Sequence, residues 1–142
     1  MKLQIVHDDN ESIEGYIALT ISENSKSDLS QVVNNSCTEI LLLDIIDSFA
    51  YDKSFEFLFD VLTKIRLNGS IILRGISSLA FSHALLNGSI DNSKASNIIS
   101  EIKSIHDQRD ITELLEKNNF RIDTIRLNGV SYELKATRYN QK

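Results

Sequence analysis

The sequence predicts an α/β fold with a mostly parallel sheet, helices on both faces of the sheet, and an antiparallel β-hairpin at the C-terminal end. Apolar runs of strand length alternate with a segment whose apolar residues recur every three or four positions, which is typical of a parallel sheet covered by helices. Residues 39–45 (EILLLDI) form the strongest apolar run, as expected of a strand buried on both faces. Asn128-Gly129 favours the tight turn that joins two antiparallel strands.

Two short strands are predicted near the N-terminus. Residues 2–6 (KLQIV) and 15–21 (GYIALTI) are short apolar runs, and the polar residues 7–14 between them predict a loop. Residues 28–33 predict one helical turn, with Ser27 as its N-cap, because a serine hydroxyl can accept a hydrogen bond from a free N–H group of the first turn.

A helix is predicted over residues 52–66, because five apolar residues fall on one stripe that we expect to pack in the core. These residues are Phe55, Leu58, Phe59, Leu62 and Ile65. Gly69 is predicted to follow the helix end in the left-handed conformation. Residues 70–74 (SIILR) come directly afterwards and predict the next strand.

The rest of the chain predicts more helices and then the hairpin. Helices are predicted at residues 77–86, ending at Asn87-Gly88, and at residues 92–105. Apolar and polar residues alternate over residues 120–127 and 130–138, which predicts the two paired strands of the hairpin.

One amphipathic helix is predicted between these two parts, over residues 110–118 (DITELLEKN). Asp110 is expected to cap this helix, and Glu113 stands three residues further on, as in a capping box.

Composition predicts one domain over residues 1–142. A chain of 142 residues lies within the usual size range of a domain. Cys37 has no partner for an internal disulfide, and residues 1–10 lack the regions of a signal peptide, so a reducing, cytoplasmic location is expected. No apolar run approaches the roughly 20 residues that cross a bilayer, so no membrane is expected as a partner.

Charge argues against binding to nucleic acid. The net charge is −5, the pI is about 5.1, and the basic residues form no cluster in the sequence. Five arginines could still meet in a local basic patch, although scattered solubilising charge is the simpler interpretation. They are Arg66, Arg74, Arg121, Arg126 and Arg138.

Three stretches in this order give the sequence its resemblance to a known family. The first stretch is Glu14-Gly15-Tyr16-Ile17, and the second consists of residues 38–49 with residues 67–73. The third is Asn119-Phe120 with the hairpin through Ala136-Thr137-Arg138. The chain resembles a small, degenerate member of the class I S-adenosylmethionine-dependent methyltransferases. The resemblance implies their Rossmann-like fold.

The same resemblance shows where the cofactor markers of the family are missing. The family has glycines just after the first strand, which let the backbone approach the cofactor, whereas this chain has Val6-His7-Asp8-Asp9. An acidic residue that binds the ribose ends the second strand of the family, and Thr20 stands there in this chain. The resemblance implies a vestigial pocket at His7, Asp8, Thr20, Asp28, Leu29 and Asp44, with no catalytic and no metal-binding residue assigned.

Other candidate sites have simpler interpretations. A cation could bind the carboxylates of Asp8, Asp9 and Glu11 with the imidazole of His7, but a solvated acidic loop is preferred. His106-Asp107 could act as a general base with an orienting carboxylate, although we expect a surface histidine. His83 is also expected at the surface.

Three further side chains stand near the central strand. Cys37 has no basic neighbour in the sequence and is expected to be a small packing residue. Phe49 and Tyr51 follow the carboxyl end of the strand, where ligands of open α/β sheets bind, so they either line a pocket or close it.

The sequence therefore leaves three functional hypotheses. The first is a non-catalytic domain without a cofactor, which binds a protein partner or another copy of itself as a structural subunit of a larger assembly, for example a viral particle. The second is an active S-adenosylmethionine-dependent methyltransferase with a divergent cofactor loop. The third is a protein that binds another nucleotide-like ligand in the same crevice. A crevice open near His7, Thr20 and Asp44 favours the last two, and a crevice filled by Phe49 or Tyr51 favours the first.

Overall fold

The computed structural model describes residues 1–7, 12–21 and 28–140, and within these ranges six strands form one mixed sheet. The strands are β1 (Lys2–Val6), β2 (Ile17–Thr20), β3 (Cys37–Leu43), β4 (Ile65–Ile76), β5 (Phe120–Asn128) and β6 (Ser131–Arg138). The helices are α1 (Tyr51–Leu62), α2 (Ser78–Leu86), α3 (Asn92–Glu101) and α4 (Gln108–Lys117), and a 3₁₀ turn spans Ile46–Ser48.

The order of the strands across the sheet is β2-β1-β3-β4-β6-β5. β1 pairs in parallel with β2 and β3, and β3 pairs in parallel with β4. β6 is antiparallel to both β4 and β5. This arrangement confirms the predicted mostly parallel sheet with an antiparallel hairpin at its C-terminal end.

The core lies on both faces of the central strands. Ile40 and Leu42 point to one face of β3 and Leu41 points to the other, because side chains alternate along a strand, and all three are buried. Helices cover these faces with buried apolar residues, namely Phe57, Leu58, Val61 and Leu62 of α1 and Ile111 and Leu115 of α4. A smaller apolar cluster around Phe81 of α2 and Ala95 of α3 holds those two helices together.

The predicted helix over residues 52–66 is too long, and its relation to Gly69 is wrong. α1 ends at Leu62, and Ile65 already belongs to β4. Gly69 lies inside this strand, beside a register shift between β3 and β4, and Asn68 takes the left-handed conformation with φ of 66°. An extended bulge is the physical reason, because β4 has three extra residues between the partners of Cys37 and Glu39, and these interrupt the apolar run without ending the strand.

The predicted stripe of α1 is also partly wrong. Phe59 is 49% exposed, whereas Phe57, which the stripe left out, is 3% exposed. Leu58, Leu62, Val61 and Phe57 share the buried face of α1, and Phe59 lies on the solvent side of it.

Other boundaries differ by a few residues. The predicted strand over residues 39–45 ends at Leu43, because Asp44 has φ of 62° and leaves the extended conformation. α3 ends at Glu101 and not at residue 105, since Ile102 is extended. Of the turn predicted at residues 28–33, only the first two residues are helical, and its predicted cap, Ser27, lies outside the described residues. The hairpin turn is confirmed, with Asn128 paired to Ser131 and Gly129 at φ of 62°.

The predicted cap of the amphipathic helix is wrong by three residues. α4 begins at Gln108, and its N-cap is Asp107, whose Oδ1 accepts a hydrogen bond from the Arg109 N–H at 2.9 Å. Asp110 lies three residues after this cap, within the first turn of the helix. The Arg109 guanidinium also pairs with Asp107 and holds the pKa of that carboxyl below its usual value.

Replacing the observed cap, Asp107, should therefore lower the stability of the fold more than replacing the predicted cap, Asp110. We expect Asp107→Ala to lower the free energy of unfolding by about 1 kcal/mol, which is typical for loss of an N-cap. Asp110→Ala removes only a charge near the helix N-terminus and should cost a few tenths of a kcal/mol. Urea denaturation followed by circular dichroism measures both, and a larger effect for Asp110→Ala would contradict the assignment.

Candidate functional site

The carboxyl ends of the parallel strands gather three of the predicted pocket residues at one edge of the sheet. His7 follows β1, Thr20 ends β2, and Asp44 follows β3. The pairing of Val6 with Thr20 sets the first two side by side. Ligands of open α/β sheets bind outside this edge, so it is the first place to look for a site.

Two neighbouring cavities open at this edge among the described residues. The first, which we name the β1–β2 cavity, has a volume of about 460 Å³ and is lined by His7, Ile21, Ser48, Phe49, Lys53 and Lys103. The second, which we name the acidic cavity, has a volume of about 540 Å³. Its charged lining residues are Asp44, Asp47, Arg74, Glu101 and Glu133. Ser48 of the 3₁₀ turn lines both cavities and separates them.

The β1–β2 cavity lies where the cofactor pocket was expected. Phe49 forms one wall and stacks on Phe57, with 4.5 Å between the ring centroids. Tyr51 is not part of this wall, because it stacks on His106 with 5.2 Å between the ring centroids. The two aromatic residues thus have different positions, and only Phe49 lines the cavity.

The remaining predicted pocket residues are dispersed. Thr20 is exposed at the end of β2, and Asp28 is half-buried at the start of its short turn. Leu29 is 2% exposed, packs in the main core and is not among the lining residues of either cavity. Asp8 lies outside the described residues. His7 and Asp44 therefore line cavities, but different ones.

Asp44 joins the ends of β3 and β4 through an ion pair. Its N–H donates to the carbonyl oxygen of Arg74 at 2.9 Å. In return, the Arg74 guanidinium donates to its carboxylate, with Nη2 2.6 Å from Oδ2. The hydrogen bond to Asp44 raises the pKa of Arg74. This carboxylate is consequently occupied within the chain.

Asp47 is the most unusual residue of the site, and sequence reasoning did not single it out. It is 2% exposed, and its Oδ2 accepts a hydrogen bond from the Ile76 N–H at 2.8 Å. Its Oδ1 has no hydrogen-bond partner among the described residues. Burial raises its pKa to about 6, and the charge of Asp44 adds to the shift. The only signal in the sequence is a carboxylate directly after the apolar pair Ile45-Ile46.

The backbone of Asp47 is fixed as firmly as its side chain. Its carbonyl oxygen accepts hydrogen bonds from the N–H groups of Lys103 and Ser104, at 2.8 and 3.1 Å. These two residues follow α3, whereas Ile76 ends β4. The 3₁₀ turn is thereby held between two distant parts of the chain, which leaves the carboxylate little freedom to move.

Tyr132 of β6 is buried close to Asp47. A Cβ atom on Gly75 would lie 2.9 Å from its Oη and 3.0 Å from Oδ2 of Asp47, so both polar atoms surround this glycine. The hydroxyl has no hydrogen-bond partner within the described part of the chain. Burial and the charges of Asp47 and Asp44 raise its pKa.

His106 is buried, which corrects the predicted surface position. It is 1% exposed, its Nε2 lies 3.0 Å from the Oγ of Ser104, and Phe55 and Tyr51 contact its ring. Desolvation lowers its pKa. Asp107 pairs with Arg109 instead, so His106 and Asp107 do not form the alternative arrangement of a base and its orienting carboxylate either. The polar residues that follow His106, namely 107–110, gave no sign of this burial.

The other candidates have simple outcomes. Cys37 is buried and His83 is exposed, as predicted. Residues 1–7, 12–21 and 28–140 hold no group of three or more side chains suited to a metal ion, and three members of the predicted acidic loop lie outside these ranges. Of the five arginines that could have met in a basic patch, Arg74, Arg121 and Arg126 each pair with an acidic residue, as fits the preferred interpretation of scattered charge. No helix in the described ranges has the length and hydropathy needed to cross a bilayer.

The fold has similar known structures, whereas the sequence has no match among protein-family models or curated proteins. The fold resembles that of a SAM dependent methyltransferase from Archaeoglobus fulgidus, with a TM-score of 0.65 over 94% of this chain and 74% of the other, at 11% identity. This chain therefore has the fold of the class I methyltransferases.

Two further structures show the same methyltransferase fold with a product of the cofactor bound. The plantazolicin methyltransferase BamL, in complex with SAH, has a TM-score of 0.64 at 8% identity, over 97% of this chain and 76% of BamL. Magnesium protoporphyrin IX methyltransferase from Synechocystis PCC 6803, with bound SAH, has a TM-score of 0.57 at 14% identity. That match covers 93% of this chain but only 55% of the other.

Proposed function

We propose that this chain is a non-catalytic methyltransferase-like domain that binds a partner, as a structural or interaction subunit of a larger assembly. The observation that carries the proposal is the pairing of Val6 with Thr20 at the carboxyl edge of the sheet. This pairing sets side by side the two strand ends at which the resemblance expects the glycine loop and the ribose-binding acid. Neither residue type is present there.

The chemistry of these two strand ends does not suit S-adenosylmethionine. The residues that follow Val6 read His7-Asp8-Asp9, so three side chains stand where glycines would let the backbone approach a ligand. Two of them are carboxylates, which repel the carboxylate of the cofactor. The hydroxyl of Thr20 offers a single oxygen, whereas a carboxylate can accept hydrogen bonds from both hydroxyls of a ribose.

Exposed apolar residues on α2 support a partner. A helix that is apolar all round is normally buried on all sides, and α2 (SLAFSHALL) has apolar residues around its whole circumference. Only Phe81 is buried, while Leu79, Leu85 and Leu86 are exposed, Leu86 by 88%. Three exposed leucines on one short helix support an interaction with a protein partner or a second copy.

One observation favours the alternative of an active methyltransferase. The β1–β2 cavity is lined by Phe49 but not filled by it, and about 460 Å³ lies within the range of small-molecule sites. An aromatic wall and the basic side chains of Lys53 and Lys103 would also suit a different nucleotide-like ligand. The binding experiment below separates these alternatives.

The experiment restores the missing residues and measures binding. We expect the variant His7→Gly/Asp9→Gly/Thr20→Asp to bind S-adenosylhomocysteine in isothermal titration, with at least about a tenfold gain over the unmodified chain, since the ribose gains two charge-assisted hydrogen bonds. The same variant with Thr20→Asn in place of Thr20→Asp is the matched control, because asparagine has the shape of aspartate without its charge. Equal affinity of the two variants would contradict the role given to the acid.

A further inference from the structure

The acidic cavity has more negative charge than its own arginine neutralises. Four carboxylates line it, and Arg74 is the basic residue of its described lining. Arg74 is taken up by Asp44, at 2.6 Å, and Glu133 pairs with Arg126, at 2.7 Å. Asp47 and Glu101 form no ion pair with any residue in the described ranges. Two negative charges therefore face the cavity without a counter-charge.

Asp47 makes this more than a cluster of surface acids. Its side chain lines the cavity while being 98% removed from solvent, and its Oδ1 has no donor in the part of the chain that the structure describes. A buried carboxylate without a second donor is costly, and native proteins normally supply one. The ammonium group of Lys103 does not supply it, because that side chain lines the β1–β2 cavity. The charge of this carboxylate is therefore only partly compensated within the described part of the chain, and a cation in the cavity would stabilise it.

The end of α3 adds to the negative potential. Ile98, Glu101 and Ile102 line the cavity, and they belong to the last turn of this helix and its C-cap. The carbonyl groups of a last turn have no partners within the helix and carry the negative end of its dipole. A cation is thus favoured by the helix end as well as by the carboxylates.

The same cavity has an apolar wall. Ile76 of β4 and Ile98 and Ile102 from α3 contribute to it. With about 540 Å³, the cavity is larger than a metal ion needs and lies in the range of organic ligands. No three of the carboxylates in its described lining are placed so that together they could hold a metal ion.

From this geometry we propose that the acidic cavity binds an organic ammonium group with an aliphatic body. The ammonium group lies near the carboxylates of Asp47 and Glu101 and the C-terminal end of α3, while the aliphatic part packs on the wall formed by Ile76, Ile98 and Ile102. The ligand class is an alkylamine, either a free small molecule or the lysine side chain of a partner. This proposal does not depend on whether S-adenosylmethionine binds, because the two cavities are separate.

The experiment titrates the full chain with hexylammonium chloride and follows amide signals by NMR. We expect saturable shifts at the Ile76 N–H, which donates to Asp47, and at Ser131, which lines the cavity. Hexan-1-ol has the same aliphatic body without the charge and should bind at least about tenfold more weakly, as expected for loss of a charge-assisted hydrogen bond. The peptide acetyl-Gly-Lys-Gly-amide distinguishes the source, because tighter binding of the peptide points to a partner's lysine and weaker binding to a free amine.

Variants test the residues. Asp47→Asn keeps an acceptor for Ile76 but removes the charge, and we expect about a tenfold loss of affinity for hexylammonium. Glu101→Gln, at an exposed position that leaves the fold intact, should weaken binding by a few-fold. Asp52→Asn is the matched control, since it removes one charge from an exposed position of α1 that does not line the cavity. Equal losses for Asp47→Asn and Asp52→Asn, or hexan-1-ol binding as tightly as hexylammonium, would overturn the proposal.

Discussion

Replacing Gly69 by alanine is expected to lower the free energy of unfolding by about 3 kcal/mol, as for an overpacked core position. A Cβ at this position would lie 2.8 Å from Cγ2 of Ile65, 2.9 Å from the carbonyl oxygen of Arg66 and 2.9 Å from that of Cys37. Two of these three atoms are backbone, so they cannot move away as the end of a flexible side chain can. Cys37 belongs to β3, and relief of the clash would disturb the pairing of β3 with β4.

Gly88→Ala is the control for this prediction. Gly88 has φ of 78°, but the space around it is open, so an added Cβ meets no atom within 4 Å. Only the left-handed backbone is strained, and the expected loss is about 1 kcal/mol. Urea denaturation of both variants measures the difference. If Gly69→Ala proved no more destabilising than Gly88→Ala, the bulge between β3 and β4 would be wrongly described.

The second large effect concerns pH and Asp47. The pKa of its carboxyl is raised to about 6 in the folded chain, above the ordinary value of 3.8. Between these two values the folded chain binds more protons than the unfolded chain, so stability falls as the pH rises through this window. At pH 7.5 the ionised Asp47 therefore destabilises the fold, by on the order of 2–3 kcal/mol for a shift of about two pKa units.

Asp47→Asn should remove this dependence. Asparagine is neutral at every pH, so we expect the variant to match the unmodified chain near pH 4 and to be more stable by about 2–3 kcal/mol at pH 7.5. Carboxyls with lowered pKa, such as Asp107 and Asp123, have the opposite pH dependence, but they are present in both proteins and cancel in the difference. A difference in stability that did not change with pH would contradict the burial of an ionisable Asp47.

Such a gain in stability would also bear on function. A buried charge that destabilises the free protein suggests that the charge has a function. Sites that bind ligands commonly have this conflict between stability and function. Loss of amine affinity in Asp47→Asn, together with a gain in stability, is the combination that the proposal for the acidic cavity predicts.

The sequence predicted the fold well because apolar period and turn chemistry are local signals. Residues 39–45 lie on β3 almost entirely, and Asn128-Gly129 forms the hairpin turn as expected. The prediction of element boundaries failed where a contact with a residue distant in the sequence determines the local structure. Gly69 has the local properties of a helix stop, but the pairing of Cys37 with Ile65 and of Glu39 with Ser70 makes it part of β4. Such a contact leaves no periodic trace in the sequence.

The site was harder to predict for the same reason. Strand ends could be located, so His7, Thr20 and Asp44 were placed at the correct edge of the sheet. The importance of Asp47 depends on β4, which supplies the Ile76 N–H, and on the segment after α3, which covers the residue. Burial of His106 depends likewise on Tyr51 and Phe55 of α1. Neither partner adjoins its target in the sequence, so the spacing of residues gave no indication.

The most direct test of the proposed non-catalytic role is isothermal titration of the unmodified chain with S-adenosylmethionine and S-adenosylhomocysteine. The absence of glycines after β1 and of an acid at Thr20 predicts no heat of binding at millimolar ligand and no rise in the melting temperature. Micromolar affinity for either compound would contradict the proposal, and the β1–β2 cavity would then be the cofactor site of a methyltransferase.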